Sequence, residues 1–344
     1  MACFIIAEAG VNHNGSEELA LRLVEAAAAA RADAVKFQTF SAEQLVRPGT
    51  ETAAYQRSNA GAADQFAMLK QLELPPTALR NLKARADALG IEFMSTPFDL
   101  SAARLLVGLG MRRIKVPSGE ITNLPLLEDL AGFGLPLIVS TGMADLAEVD
   151  EAVAALGEAR KRCGLEARRE EWLTLLHCTS NYPAKPEDVN LRAMLTLQRH
   201  FSVPVGYSDH TDGTAIAVAA AALGATVIEK HFTLDRELPG PDHKASLAPL
   251  ELAAMVREIR AVESSLGDGV KEPRAAELPV RELVRRSVTL ARARRRGERI
   301  EAEDLVLLRP GNGIPPRDLA RVVGRRAARD LAAGSTLVWE DLST

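Results

Sequence analysis

From position 4 to about 265 the chain alternates short apolar, β-branched runs with longer stretches whose apolar residues recur every three or four positions. The runs are FIIAEA, AVKFQTF, IEFMSTP, RIKVPSG, LIVSTG, LTLLHCT, VPVGYSD and TVIEKHF. Between them, stretches such as SEELALRLVEAAAAA, PTALRNLKARADALG, DLAEVDEAVAALGEA and GTAIAVAAAALGA read as amphipathic helices, several stopping at glycine. Strands alternating with helices predict parallel βα units, and eight of them in about 260 residues predict an α/β fold, a closed (β/α)8 TIM barrel over 1–266. One connection departs from this rhythm. After AVKFQTF the chain runs about 35 residues before the next clear helix, the length of a functional lid loop.

Past position 266 the pattern changes. GDGVKEPRAAELPVRE has no hydrophobic period and reads as a linker over 267–282. The remainder, 283–344, holds two half-similar pieces, RGERIEAEDLVLLRP and AAGSTLVWEDL, whose shared cadence predicts a small pseudo-symmetric β-rich domain. About 60 residues bury only a modest core, so this domain is expected to lean on another surface.

Hydrophobic residues make up 47% and charged residues 26%, the profile of a packed globular protein. No stretch has the roughly 20 apolar residues of a membrane span, and MACFIIAEAG lacks a basic leader region, so the reading is cytoplasmic with no membrane partner. Three cysteines without a CxxC pair argue against disulfides and structural zinc. The net charge of −4 conceals an asymmetry: 281–344 carries 14 arginines against 9 acids. ARARRRGER has no interleaved aromatics or nucleic-acid motif, so a solvated or inter-subunit face is expected there and nucleic acid is not.

In such a barrel the carboxyl ends of the strands converge on one mouth. They carry Glu8, Lys36 with Gln38, Thr96, Lys115 with Ser118, Ser140 with Thr141, Ser180 with Tyr182, Ser208 with His210, and His231. An inert barrel end has no need of a polar group on every strand. Two lysines among hydroxyls predict an anion site, since ammonium groups supply charge and hydroxyls donate directed bonds to phosphate or carboxylate oxygens. The alternative pairs each lysine with a carboxylate such as Glu8 or Glu120. His210 and His231 end neighbouring strands, and two imidazoles with open positions suit a catalytic divalent ion, Mn²⁺, Mg²⁺ or Co²⁺, better than a closed zinc site. His13 reads either as a helix-entry residue, with Asn14 or Ser16 as N-cap, or as functional. His177 and His200 read as structural, and Asp209 and Asp212 as loop-orienting. Asp242 follows a Pro-Gly turn that could swing its carboxylate over the mouth.

The motifs IAEAGVNHNG, AVKFQTF, STPFD, KVPSGEITNLP, STGMA, LHCTSNYPAKPEDVNL, GYSDHT, IEKHFTLD and GPDHKAS together resemble the sialic acid synthase family, whose members condense phosphoenolpyruvate with an N-acylated hexosamine. RPGNGIPP and VGRRAARDLAAGSTL are similar to its C-terminal antifreeze-like (SAF) domain. The resemblance covers nearly the whole chain. It implies that Lys36, Thr96, Lys115, Ser118, Ser140, Ser180 and Ser208 hold phosphoenolpyruvate and that His210 and His231 bind Mn²⁺. It also implies that Gln38, Asn59, Tyr182 and Asp242 contact the sugar, and that Arg309 reaches the site of the other subunit in a domain-swapped homodimer. Three positions depart from the family pattern: Arg31 stands where glycine is usual, so that turn is expected to differ, Ser180 stands where some relatives have asparagine or threonine, and Lys185 replaces a commonly apolar residue.

The leading expectation is therefore N-acetylneuraminate synthesis from N-acetylmannosamine, with Glu8 positioning or deprotonating the water that adds to the condensed intermediate. The alternative is N,N'-diacetyllegionaminate synthesis from a 2,4-diacetamido-trideoxy hexose. A non-catalytic carbohydrate-binding protein is a remote third reading, disfavoured by the gathering of Glu8, both lysines and both histidines at one mouth.

Overall fold

The computed structural model describes residues 2–52 and 64–344 and divides into two compact units, through Gly267 and from Asp268. In the first, eight parallel strands form one sheet: β1 Phe4–Gly10, β2 Ala34–Thr39, β3 Glu92–Pro97, β4 Ile114–Val116, β5 Leu137–Ser140, β6 Leu173–Cys178, β7 Val205–Asp209 and β8 Val227–His231. The ladder runs β3-β2-β1-β8-β7-β6-β5-β4, and β3 packs beside β4, so the sheet closes into the expected barrel.

Side-chain alternation sorts every strand into an outward and an inward set. The outward set packs under the helices in the large core around Ile5, Ala7, Val35, Phe37 and Leu175. Inside, Ile6, Ala34, Met94, Ile138, Leu176 and Val227 form a separate apolar floor. Gly206 belongs to this floor by its lack of a side chain: a Cβ there would stand 2.3 Å from the Val227 carbonyl oxygen and 2.7 Å from Leu176 Cδ2.

The helices form where the pattern predicts. Glu17–Ala29 buries Ala20, Leu23, Val24 and Ala27, one stripe, and Ser16 caps it by accepting from the Leu19 N–H. Leu146–Arg162 opens with a reciprocal capping box between Asp145 and Glu148. Arg31 is a finding against expectation. It adopts φ +62°, so the chain keeps the left-handed turn that glycine makes easily, with an arginine in it. Lys185 is exposed and disturbs no core.

The long loop after β2 begins with a one-turn helix, Ala42–Leu45, and ends with Gln65–Gln71, which is anchored to the barrel through Met68 and Leu72 packed with Val11 and Phe40. Asn59, the expected sugar contact in this loop, lies outside the described residues.

The second unit is built around Val288, Leu290, Ile300, Ile314, Val322, Ala327, Leu331 and Leu337, the modest core expected of its length. Ser287–Leu290 pairs antiparallel with Leu305–Leu308, and Arg326–Ala327 with Leu342–Ser343. The two half-similar pieces fold alike. Asp304 and Asp341 are each buried, each accepts the backbone N–H three residues before it (Glu301 at 2.9 Å, Val338 at 3.1 Å), and each pairs with an arginine, Arg294 and Arg329. The three cysteines are free, and no helix among the described residues is long and apolar enough to cross a membrane.

Candidate active site

Two residues beyond the apolar floor, the inward positions turn polar and line a cavity of about 470 Å³ at the carboxyl ends of the strands. Its walls include Glu8, Lys36, Gln38, Thr96, Lys115, Ser118, Ser140, Ser180, Tyr182, Ser208, His210 and His231. Every strand-end residue inferred from the sequence to hold substrate or metal in the barrel is therefore at one opening, except Asp242, which stands just behind His231, and the undescribed Asn59. Arg309 is exposed in the second unit, directly after Leu305–Leu308.

The charged centre is a four-membered cluster. The β1–β2 register sets Glu8 opposite Lys36, and Lys36 Nζ lies 2.7 Å from Glu8 Oε2 while donating to Thr96 Oγ1 at 2.9 Å. Glu229, one strand over, sits between the lysines, with Oε1 3.5 Å from Lys115 Nζ and 3.7 Å from Lys36 Nζ, and accepts from Ser208 Oγ at 3.3 Å. The pairing of each lysine with a carboxylate is thus present, with Glu8 and Glu229 as the partners and not Glu120.

Glu229 was not picked out from the sequence. The signal was available: residues two apart on a strand share a face, so Glu229 must face inward if His231 does. Phe98, Gln65, Met143 and Cys178 also line the cavity and were missed, being apolar, weakly polar or in the irregular loop.

Burial decides the protonation of this cluster. It raises Glu8 to about 7, because desolvation outweighs the attraction of Lys36 and Glu229 adds like-charge repulsion. Glu229 moves the other way. Burial opposes its charge, but Lys115 and Lys36 together hold its carboxyl below the usual range. Burial likewise pulls on both ammonium groups; Glu229 and Glu8 keep Lys36 raised, whereas Lys115 stays lowered. When Glu8 is protonated, Lys36 and Lys115 face the single carboxylate of Glu229.

Several buried polar atoms in this cavity have no hydrogen-bond partner among the described residues: Ser140 Oγ, Glu229 Oε2 and, at its edge, His231 Nδ1. Native interiors rarely leave such groups unmatched, so their concentration at one mouth marks a place for a polar ligand. Beside them, Ser118 Oγ accepts from the Gly142 N–H at 3.0 Å and lies 3.1 Å from Cys178 Sγ. Gly142 has no side chain because a Cβ would meet Ser180 Oγ at 2.5 Å, Cys178 Sγ at 2.7 Å and Ser118 Oγ at 2.8 Å.

The imidazoles of His210 and His231 have centroids 5.5 Å apart, and the Tyr182 ring lies 4.1 Å from the first and 5.5 Å from the second. His210 Nδ1 donates to the Thr179 carbonyl at 2.8 Å, which makes Nε2 the unprotonated nitrogen, 3.5 Å from Ser208 Oγ. Burial lowers His210 to about 4, and burial followed by His210 itself lowers His231 well below its ordinary value. Both rings are therefore neutral at pH 7, the metal-binding form. No group of three or more His, Cys, Asp or Glu side chains among the described residues could hold a metal ion, so an ion at this place would rest on the two imidazole nitrogens alone. Asp242 Oδ2 stands 4.0 Å from His231 Nδ1, and burial raises its carboxyl to about 6. Gln38 donates to Glu8 Oε1 at 3.3 Å at the inner edge of the same opening.

Other histidines serve the frame. His13 is fully buried and accepts from the Gly15 N–H at 3.0 Å, so it is a turn residue and does not reach the mouth. His177 bonds the Val189 carbonyl oxygen at 2.6 Å, and His200 pairs with Asp150 on the surface.

Comparison with known proteins identifies the family. The sequence pattern of the NeuB family matches residues 23–271, and that of the SAF domain matches 285–343. An N,N'-diacetyllegionaminic acid synthase from Legionella pneumophila is 52% identical over 99% of this chain and 95% of its own. A human N-acetylneuraminate-9-phosphate synthase is 34% identical over 98% of this chain and 92% of its own. Among solved structures, an N-acetylneuraminic acid (sialic acid) synthetase from Leptospira borgpetersenii aligns with TM-score 0.70 and 37% identity, covering 81% of this chain and 90% of that one. These relatives reverse the order of the sequence-based expectations, since the legionaminic reading stands nearer than the N-acetylneuraminate one. The chain belongs to the NeuB family, and is a phosphoenolpyruvate-dependent nonulosonate synthase with a C-terminal SAF domain.

Proposed function

We propose that this enzyme condenses phosphoenolpyruvate with a 2,4-diacetamido-2,4,6-trideoxy hexose of mannose configuration, giving N,N'-diacetyllegionaminate and phosphate. The observation that carries the sugar assignment is the 52% identity, end to end, with the Legionella pneumophila synthase. A second reading, N-acetylmannosamine as acceptor, is supported by the structural likeness to the Leptospira enzyme.

The cavity's own groups account for the reaction. Lys36, Lys115, Thr96, Ser118, Ser140, Ser180 and Ser208 would take the phosphate and carboxylate of phosphoenolpyruvate, replacing with anionic oxygens the contacts now made by Glu8 and Glu229. His210 and His231 would hold a divalent ion, Mn²⁺ first among the candidates, which when bound supplies Lewis-acid polarisation of the sugar aldehyde. Tyr182, stacked on His210, and Asp242, behind His231, would orient the open-chain sugar, with Gln38 on the opposite wall. Carbon 3 of phosphoenolpyruvate then bonds to the aldehyde carbon, whose oxygen becomes a hydroxyl by taking up the proton that the water adding at carbon 2 gives up by way of Glu8. Glu8, with its pKa near 7, takes the proton of that water, and the tetrahedral centre expels phosphate by C–O cleavage into the lysine and hydroxyl cradle.

Arg309 would reach the sugar from a second copy of the chain. The exposed apolar residues Leu278, Val280, Leu283 and Val284 on the helix Leu278–Val284 give the second unit a face for such an assembly. A phosphate-release assay with each sugar tests the assignment: release with the diacetamido sugar and little with N-acetylmannosamine is expected. The reverse preference would hand the assignment to the second reading. Mass spectrometry of the product identifies the acid formed.

A further inference from the structure

Behind the mouth lies a charged pair that the reaction does not touch. Asp209 and Lys230 each precede one of the two cavity histidines, so alternation turns them away from the cavity, against the barrel's outer wall. Lys230 Nζ lies 2.8 Å from Asp209 Oδ2, and both side chains are 0% exposed. The same ammonium donates to the Thr211 carbonyl oxygen. Asp209 Oδ1 in turn accepts from the Thr211 N–H at 2.9 Å and its hydroxyl at 2.8 Å. One residue of β8 thus grips the neighbours of His210 on both sides.

The backbone explains why such a grip is needed. The β7–β8 ladder ends at the pair Asp209↔Lys230, so His210 is already past it, whereas His231 is still held in register with Glu8 on β1. The tie from β8 to the residue carrying the His210 ring is made by side chains. Its other anchors, the Thr179 carbonyl at the Nδ1 end and the Ala184 N–H on its backbone oxygen, come from the β6 side. A buried ion pair is no stabiliser by default, because desolvating two charges offsets their attraction. Its value here is direction.

We infer that Asp209 and Lys230 are positioning residues that fix the His210 ring against His231 and so set the affinity of the two-imidazole site for a divalent ion. This rests on the metal reading given above. Groups that orient metal ligands from behind typically change affinity by about 10- to 100-fold when lost.

The test is Mn²⁺ titration of the full-length protein, reading the free ion by electron paramagnetic resonance, on wild type, His210→Ala and the double variant Asp209→Asn/Lys230→Met. The double variant keeps side-chain volume and the acceptor for Thr211 while removing both charges. The expected result is a folded protein whose Mn²⁺ Kd rises about 10- to 100-fold, while KM for phosphoenolpyruvate, whose cradle apart from Ser208 comes from β2 to β6, does not move. A folded double variant with wild-type Mn²⁺ affinity, or one in which KM for phosphoenolpyruvate rises in parallel, overturns the inference. If the double variant does not fold, Lys230→Gln is read against the same two outcomes. Equal Mn²⁺ binding by wild type and His210→Ala brings down the metal reading itself, a failure that the titration separates from the first.

Discussion

The barrel interior has two layers two residues apart on the same strands. Ile6, Ala34, Met94, Ile138, Leu176 and Val227 make the floor; one step toward the carboxyl end, Glu8, Lys36, Thr96, Ser140, Cys178 and Glu229 make the reactive layer. The backbone in both is the same hydrogen-bonded ladder, and the burial is nearly the same. What differs is the chemistry of the side chain placed in it. The floor excludes water and gains stability from packing, while the layer above accepts buried charge and polar atoms that have no protein partner among the described residues.

That division yields predictions of decreasing size. Lys115→Met removes one of the two ammonium groups from the upper layer. We expect kcat/KM in phosphate release to fall by about 10³-fold, with the thermal midpoint unchanged or raised, because burial already opposes that charge. Leu176→Ala makes the converse change in the floor. It should cost about 2–5 kcal/mol in denaturant unfolding and leave KM for phosphoenolpyruvate little altered while the protein remains folded. A Leu176 variant that lost substrate affinity without losing stability would erase the distinction between the layers.

A third prediction uses pH. Glu8 must be ionised to accept a proton, and its raised pKa places that ionisation near 7. The pH profile of kcat/KM should therefore show an acidic limb, rising about tenfold per unit up to a bend near pH 7; Glu8→Gln should lower activity and remove the limb. The linkage to stability has the opposite sign. A carboxyl whose folded pKa lies above its unfolded value binds more protons when native, so its contribution favours the fold at low pH and is lost as pH rises from about 4.5 to 7. Smallest is Arg31→Gly, outside both layers, which should stabilise the barrel by about 1 kcal/mol in thermal unfolding by relieving a left-handed arginine.

Much of this arrangement was legible in the sequence, for a physical reason. Strand and helix periods differ, so the eight βα units could be counted. A parallel barrel sends every strand's carboxyl end to the same side, so Lys36, Lys115, His210 and His231 could be gathered without knowing any distance. Glu229 was overlooked beside His231 although the same alternation carries it inward. Arg31 was read as a change of turn, whereas the chain keeps the turn and bears the strain. His13 left its role open in one dimension; in the fold it is buried and accepts the Gly15 N–H within its own turn.

The sequence by itself determined which residues could meet, because their order along alternating strands fixes strand, face and end. Only the tertiary structure decided what they do to one another. That Glu8 rather than Glu229 takes the proton, and that Lys230 reaches around to bracket His210, depend on desolvation and on separations of a few ångströms between strands far apart in the chain. Electrostatic energy in a buried site varies steeply with both, and neither is written in the order of the residues.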